Sequence, residues 1–425
     1  MKRLVVPLLL FAVSAVRAET LTLDQALELA KKNHPTLRQA DATADVTGAR
    51  VEQARGFLFP QVNATALFSR SQGSFARVGT GTAAPASASV NNLFSFGLSA
   101  TQTLWDFAAI ERLRQAGFNR EAQLATERAV QLTIALGVRR AYFVAAAQTE
   151  LVKVAQQTVA NTELHLTQAN ARVSTGQGTG IDVAQAKTQL AAAQLQLINA
   201  KNALALSMVA LSQAVGVLEA RDWQVADVQL GALEHEDDEL GELVKLAISQ
   251  RPELEAIRKQ QEAVVAQRLA AIGGYVPTLN ANGSVSAAGI DPTALGPNWA
   301  FGLTLQWNLF NGLQTTGQVH EADAQARVVQ GQLDAQALQV RTDVEQARAT
   351  VVAQRGAIEA ADSAVAAAGE QLALAEGRFK AGVGNLLEVG DAQVQATTAN
   401  AQRVQARLNL STARAQLLAA LGVLP

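Results

Sequence analysis

Glu388 and Asp391 stand three residues apart, so on a helix their carboxylates share one face. At a pore mouth such a face attracts cations, and crowding of like charges raises some of the pKa values. Asp182 occupies the matching place after an earlier glycine-rich turn, with Gln185 where the second acid would stand. A plainer role competes. Asn385-Leu386-Leu387-Glu388 and Thr179-Gly180-Ile181-Asp182 both have capping-box spacing, and acids suit a helix N-terminus through the dipole. Asp391 lies beyond the first turn and is the least easily explained as a cap.

Other chemistry is sparse. The four histidines (His34, His165, His235, His320) are scattered, none at a metal-ligand spacing. His235 lies in an acidic run, 234–242, that reads as a solvated linker. There is no cysteine, hence no disulfide, thiolate metal site or cysteine nucleophile, and no lipid-carrying cysteine is expected. No nucleophile–base grouping or phosphate loop occurs. Neither an enzyme nor a cofactor is expected. The net charge of -2 makes no electrostatic case for nucleic acid.

The elements that must position these acids come in two copies. Pro35 and Pro60 recur at a spacing of 217 as Pro252 and Pro277. Arg172, Gly176, Gly178, Val183 and Gly216 recur at a spacing of 206 as Arg378, Gly382, Gly384, Val389 and Gly422. Two internal repeats follow, 19–216 and 240–425, joined by an inter-repeat segment, 217–239. No proline lies between Pro85 and Pro252, or between Pro297 and Pro425. Because proline breaks helix interiors, very long helices are expected at about 107–173 and about 313–377, each roughly 100 Å long. Return helices are expected at about 181–215 and about 385–421. The first carries Val183, Leu190, Leu197, Leu204 and Leu211 every seven residues, with Ala186, Ala193, Ala200, Ser207 and Ala214 three behind. The second keeps the small ladder at Ala392, Ala399, Ala406, Ala413 and Ala420, with a looser large ladder. A strict seven-residue period imposes coiled-coil packing.

Between the helices lie four segments of period two, at about 59–70, 93–105, 276–286 and 298–310. One side of each is apolar, the other small and polar. In the fourth, Trp299, Phe301, Leu303, Leu305, Trp307 and Leu309 oppose Asn298, Thr304, Gln306 and Asn308. Strands of about ten residues with this alternation fit a transmembrane barrel. Trp105, Trp299 and Trp307 lie near strand ends, where interfacial aromatics belong. The segments 71–92 and 287–297 read as hairpin loops, and Trp223 to Leu230 as a short strand pairing. Residues 1–18 read as a signal peptide: Lys2 and Arg3, a short apolar run, then small residues at a cleavage site.

Four strands cannot close a barrel, and open edges are not tolerated in lipid. The chain must oligomerise. Two copies would give eight strands with a filled interior, three would give twelve and a lumen, and the small polar faces favour the latter.

The order of elements resembles the TolC family of outer-membrane channel-tunnels. The residues that carry the likeness are His34-Pro35, Phe59-Pro60, Leu104-Trp105-Asp106, Leu309-Phe310-Asn311-Gly312, the turns 172–176 and 378–382, and the terminal Leu421-Gly422. The resemblance implies a mainly α, α+β membrane protein: a homotrimer whose 12-stranded outer-membrane β-barrel, four strands per chain, is continued by a long periplasmic α-helical coiled-coil barrel. It implies a passive exit duct for tripartite efflux or type I secretion. Its partners would be a periplasmic adaptor, an inner-membrane pump of the RND, ABC or MFS type, and outer-membrane lipid. It implies further that Glu388 and Asp391 match an acidic periplasmic gate, with Asp182 as a third candidate. Arg172, Gly176, Gly178, Arg378, Gly382 and Gly384 would lie at the adaptor-docking tips, and Pro60 and Pro277 at the barrel–tunnel junction. A coiled-coil structural or adhesin-like envelope protein is the competing reading, which leaves the four alternating segments unexplained.

Overall fold

The computed structural model describes residues 19–73, 89–217, 223–226 and 230–423. The expected signal peptide, positions 74–88 of the first hairpin loop and parts of the inter-repeat segment lie outside the described residues. The element order is β1 (Glu19–Leu21), α1 (Leu23–Asn33), α2 (Pro35–Gly56), β2 (Gln61–Gly73), β3 (Ser89–Trp105), α3 (Phe107–Ser174), α4 (Gly180–Val215), β4 (Trp223–Val225), α5 (Leu240–Gln250), α6 (Pro252–Ile272), β5 (Thr278–Gly289), β6 (Gly296–Gln306), α7 (Gln314–Lys380) and α8 (Leu386–Leu421). The chain is mainly helical. It forms two compact units, and each draws on both sequence repeats: 1–39, 128–251 and 338–425 make the first, 40–127 and 252–337 the second.

The second unit holds one antiparallel sheet of order β2-β3-β5-β6. Its register sorts the side chains. Phe68 pairs with Phe94, Ala64 with Leu98, Leu98 with Val285, Val285 with Trp299, and Ala281 with Leu303. Directly opposed residues share a face, so one face is apolar through the middle of the sheet, bounded by the Arg70–Asn92 pair at one end and by Gln102 opposite Ala281 at the other. Asn63–Ser99, Ser99–Ser284, Thr101–Asn282 and Asn280–Thr304 fill the other face, where Asn282 Nδ2 donates to Thr304 Oγ1 at 3.1 Å. A bulge between Thr103 and Trp105 shifts the β3–β5 register, so Trp105 rather than Leu104 stands opposite Leu279. The apolar alternation expected to run on through Leu104 therefore breaks there. Within the chain β2 and β6 keep open edges.

The strands begin where the sheet is locked to its helices. Pro60 and Pro277 immediately precede β2 and β5. Gln61 Nε2 donates to the Gly56 carbonyl at 2.9 Å, and Gln102 Nε2 to that of Leu58 at 2.8 Å. Trp307 Nε1 donates to the Tyr275 carbonyl at 3.0 Å. Asp106 caps α3 by accepting the Ala109 N–H at 3.0 Å. In the second copy Gly312 and Leu313 both take φ of 67°, so α7 begins at Gln314. The left-handed backbone of Leu313 forbids an earlier start.

In the first unit the short strand expected within 223–230 is β4, and its parallel partner is β1. Tyr142, fully buried on α3, donates its hydroxyl to the carbonyls of Leu21 (3.0 Å) and Ala226 (3.1 Å). Leu21, Ala26, Val138, Phe143, Leu211, Val215 and Trp223 pack around it. The two return helices end alike. Gly216 and Gly422 take φ of 78°, and a β-carbon would fall 2.7 Å from the His34 Cα and 3.0 Å from the Arg251 Cα. Glycine is thus required twice over, for its dihedral and for its lack of a side chain. The small ladder of α8 is buried throughout. α8 is also more deeply buried than α4, although its large ladder is the less regular in sequence. Within one chain α4 leaves Leu195, Ile198, Leu206 and Val209 exposed.

Candidate functional site

The two glycine-rich turns, 175–179 and 381–385, join α3 to α4 and α7 to α8. They share one backbone design. Gly176 and Gly382 have φ of 70° and 79°. The amides of Gln177 and Gly178 donate to the Arg172 carbonyl, those of Val383 and Gly384 to the Arg378 carbonyl, at 2.8–3.1 Å. These bonds satisfy carbonyls that the helix end would otherwise orphan. Gly178 and Gly384 have ordinary φ. A β-carbon there would stand 3.1 and 3.0 Å from the β-carbons of Arg172 and Arg378. The glycines therefore tighten the turns rather than loosen them.

The two turns differ in their side chains. Arg172 Nη1 donates to the Phe379 carbonyl at 3.2 Å, and its guanidinium lies 4.6 Å from the Phe379 ring centroid. That cation–π contact ties the first turn to the second. Arg378 remains largely exposed, with Nε 3.7 Å from Glu388 Oε2. Of the two expected docking arginines, Arg172 is held internally and Arg378 is presented.

The acids divide as well. Asp182 forms a full capping box: its carboxylate accepts the Thr179 N–H (2.8 Å) and hydroxyl (2.9 Å), while its own N–H donates to Thr179 Oγ1. The Thr179 N–H, the Thr179 hydroxyl and the Arg172 charge outweigh desolvation and hold its pKa below the usual aspartate value. At the second turn Asn385 Oδ1 accepts the Glu388 N–H at 2.8 Å. The Glu388 carboxylate does not return the bond and faces Arg378 instead. Asp391 is exposed and forms no hydrogen bond or ion pair among the described residues. Gly390 lies between these two acids. The end of the Gln189 side chain from α4 rests directly on it, and a β-carbon there would displace that flexible side chain.

The sequence reading missed the apolar part of the tips. Ile181 (77% exposed), Val383 (72%) and Leu387 (53%) point outward from small, polar surroundings. The available signal was that contrast: Val383 inside a turn of small residues, and Ile181 and Leu387 in the first turns of α4 and α8.

Away from the turns, α3, α4 and α8 border an open crevice of about 480 Å³, lined in part by Thr158, Thr162, Gln189, Gln393 and Thr397. Several of its polar groups bond one another. Thr158 and Thr397 share a hydrogen bond of 3.1 Å, and Gln393 accepts from Asn161 (3.1 Å) and donates to Thr397 (3.2 Å).

The family model of outer membrane efflux proteins matches residues 26–217 and 243–423. The chain belongs to the outer membrane efflux protein family. It is 26% identical over 422 residues to the outer membrane protein TolC of Vibrio cholerae, covering 97% of this chain and 92% of that one. It is 25% identical over 397 residues to the pyoverdine export outer membrane protein OpmQ of Pseudomonas aeruginosa, covering 91% and 80%. Among solved structures, the outer-membrane channel OprN superposes with a TM-score of 0.80 at 18% identity, over 94% of this chain and 89% of that one. At that identity the likeness concerns the fold. The fold class is that of outer-membrane channels, and the family is one of channels rather than enzymes.

Proposed function

We propose that three copies of this chain form an outer-membrane exit duct for tripartite efflux or type I secretion. One observation carries the reading: the four-stranded sheet has one face that is apolar through its middle, an opposite face that is mostly small and polar, and two open edges. Such a sheet is stable in lipid only when closed on copies of itself, with the apolar face to the bilayer and the polar face to a lumen. Trp299, Phe301, Leu303 and Leu305, all at least 63% exposed, belong to the lipid side. The exposed row on α4 supports the same assembly, since a partner helix would cover it. Family membership and the name of the exporting relative support transport as the task.

The helical tips are read as the periplasmic mouth. Glu388 and Asp391 form its cation-sensitive gate, while Asp182 serves its cap. Arg378, Val383 and Leu387 form the surface for a periplasmic adaptor that links the duct to an inner-membrane pump. The duct is tested by extracting the protein in mild detergent. A trimer that migrates faster unheated than boiled and conducts in planar bilayers is expected. A monomer without conductance overturns the reading and favours the structural coiled coil.

A further inference from the structure

The seam of α3 near the first turn runs through buried Ala155, Thr158, Thr162, His165 and Ala169 to half-buried Arg172, at alternating steps of three and four. Every polar member has a partner except His165. Thr158 bonds Thr397, Thr162 bonds the carbonyl of Thr158, and Arg172 bonds Phe379. His165 is 3% exposed, and neither ring nitrogen has a hydrogen-bond partner among the described residues. Burying an imidazole without hydrogen bonds costs free energy that an apolar residue would avoid. The position is therefore suboptimal for packing alone.

We propose that His165 is a proton-sensing residue that loosens the tip at acidic pH, by unseating the end of α7 from α3. The surroundings define the response. α7 sets Glu376 and Lys380 against it, and these two already face each other at 3.8 Å. α4 and α8 meet this level with apolar side chains, Val183, Ala186, Leu386 and Val389. On α3 itself Glu163 is exposed and Arg172 is turned to Phe379. A neutral ring sits in this site without opposing charge. A protonated ring is attracted to the Glu376 carboxylate and repelled by Lys380, and drawing the carboxylate in displaces Lys380. Phe379 lies between Glu376 and Lys380 in the chain, so the shift bears directly on the Arg172–Phe379 tie.

The geometry also sets the sign. Burial holds the His165 pKa below the ordinary imidazole value, with Glu376 opposing and Lys380 adding to the lowering. Above the unfolded value of about 6.5 the packed tip keeps its full stability, which declines as pH falls from there toward the folded value. The chemistry is independent of the duct reading, and only its consequence, opening of a periplasmic mouth, rests on it.

The full-length protein in detergent supplies the test. Amide hydrogen exchange, corrected for the intrinsic pH dependence, is compared at about pH 7.5 and about pH 5.5 in the wild type, His165→Phe and His165→Gln. In the wild type, protection across both tip turns is expected to fall on acidification, by up to about tenfold for each unit of pKa depression. In both variants that acid dependence disappears, while protection elsewhere is unchanged. Equal loss in all three proteins, or none in the wild type, overturns the proposal. Exchange at the imidazole carbon of His165, read in the wild type alone, overturns it equally if the ring titrates at or above about 6.5. Bilayer recordings give the separate readout of the duct. Failure to conduct at any pH counts against the channel and leaves the exchange result standing.

Discussion

Arg172 and Arg378 occupy equivalent places in the two repeats yet do opposite things. One stacks on Phe379 and binds the second turn, and the other faces solvent beside Glu388. Arg172→Met is therefore expected to raise hydrogen exchange at both turns, whereas Arg378→Met leaves exchange unchanged and weakens adaptor binding. Either result reversed would exchange their roles. The acids make a second pair of expectations. Single-channel block by divalent cations from the tip side should be lost in Glu388→Ala/Asp391→Ala. Asp182→Asn should retain the block while weakening the cap by about 1 kcal/mol. Because the Asp182 pKa is lowered in the fold, its contribution is present above the ordinary aspartate value and is lost as pH falls through the lowered one. Capping-box spacing was legible in sequence at both Asp182 and Glu388. Which of them caps was not, because reciprocity depends on Arg378, which competes for the Glu388 carboxylate.

Among the elements, the acidic part of the inter-repeat segment is the one least readable from sequence. Glu236, 3% exposed, lies in the acidic run that reads as a solvated linker. Its carboxylate instead accepts from Arg414 Nε (2.9 Å) and Nη2 (3.1 Å), while Arg414 Nη1 donates to the Leu230 carbonyl at 2.7 Å. Arg355 bonds Asp237 at 2.5 Å. Burial alone would raise the Glu236 pKa, but the bonds from Arg414 and the Leu233 N–H, with the charges of Arg414 and Arg355, leave it lowered. This clamp stabilises the fold above the ordinary glutamate value, and its contribution is lost as pH falls through the lowered one. Arg414→Met strands a buried carboxylate and is expected to cost about 3–5 kcal/mol near neutrality. The gap from the wild type should narrow as pH falls through the lowered glutamate value, where the carboxylate becomes neutral in both proteins. Denaturant unfolding of the full chain near neutrality and at acid pH measures it, and a pH-independent gap would remove the ion pair from the account.

At the scale of the whole molecule, the two faces of the sheet make the sharpest prediction. Phe301→Arg places a charge on the apolar face and should cost about 2–4 kcal/mol of membrane stability, given a lipid-facing site near the bilayer midplane. Asn282→Asp, on the polar face, should be tolerated. The yield of heat-modifiable trimer in outer-membrane extracts reads both. Similar losses at the two positions would mean that the face assignment, and with it the lumen, is wrong.

Periodicity alone determined much of this protein. The long proline-free runs, the seven-residue ladders and the period-two segments each repeat a local preference many times, and repetition makes a weak preference decisive. Paired prolines and glycines marked the copies because those residues answer to backbone geometry, which their own chemistry sets. The tertiary structure decided the rest: which glycines need positive φ and which need only an absent side chain, which arginine turns inward, that Glu236 is clamped, and that His165 is buried without a partner. Most of these depend on an atom supplied by a residue distant in the chain. Such encounters follow from packing and have no period to be read.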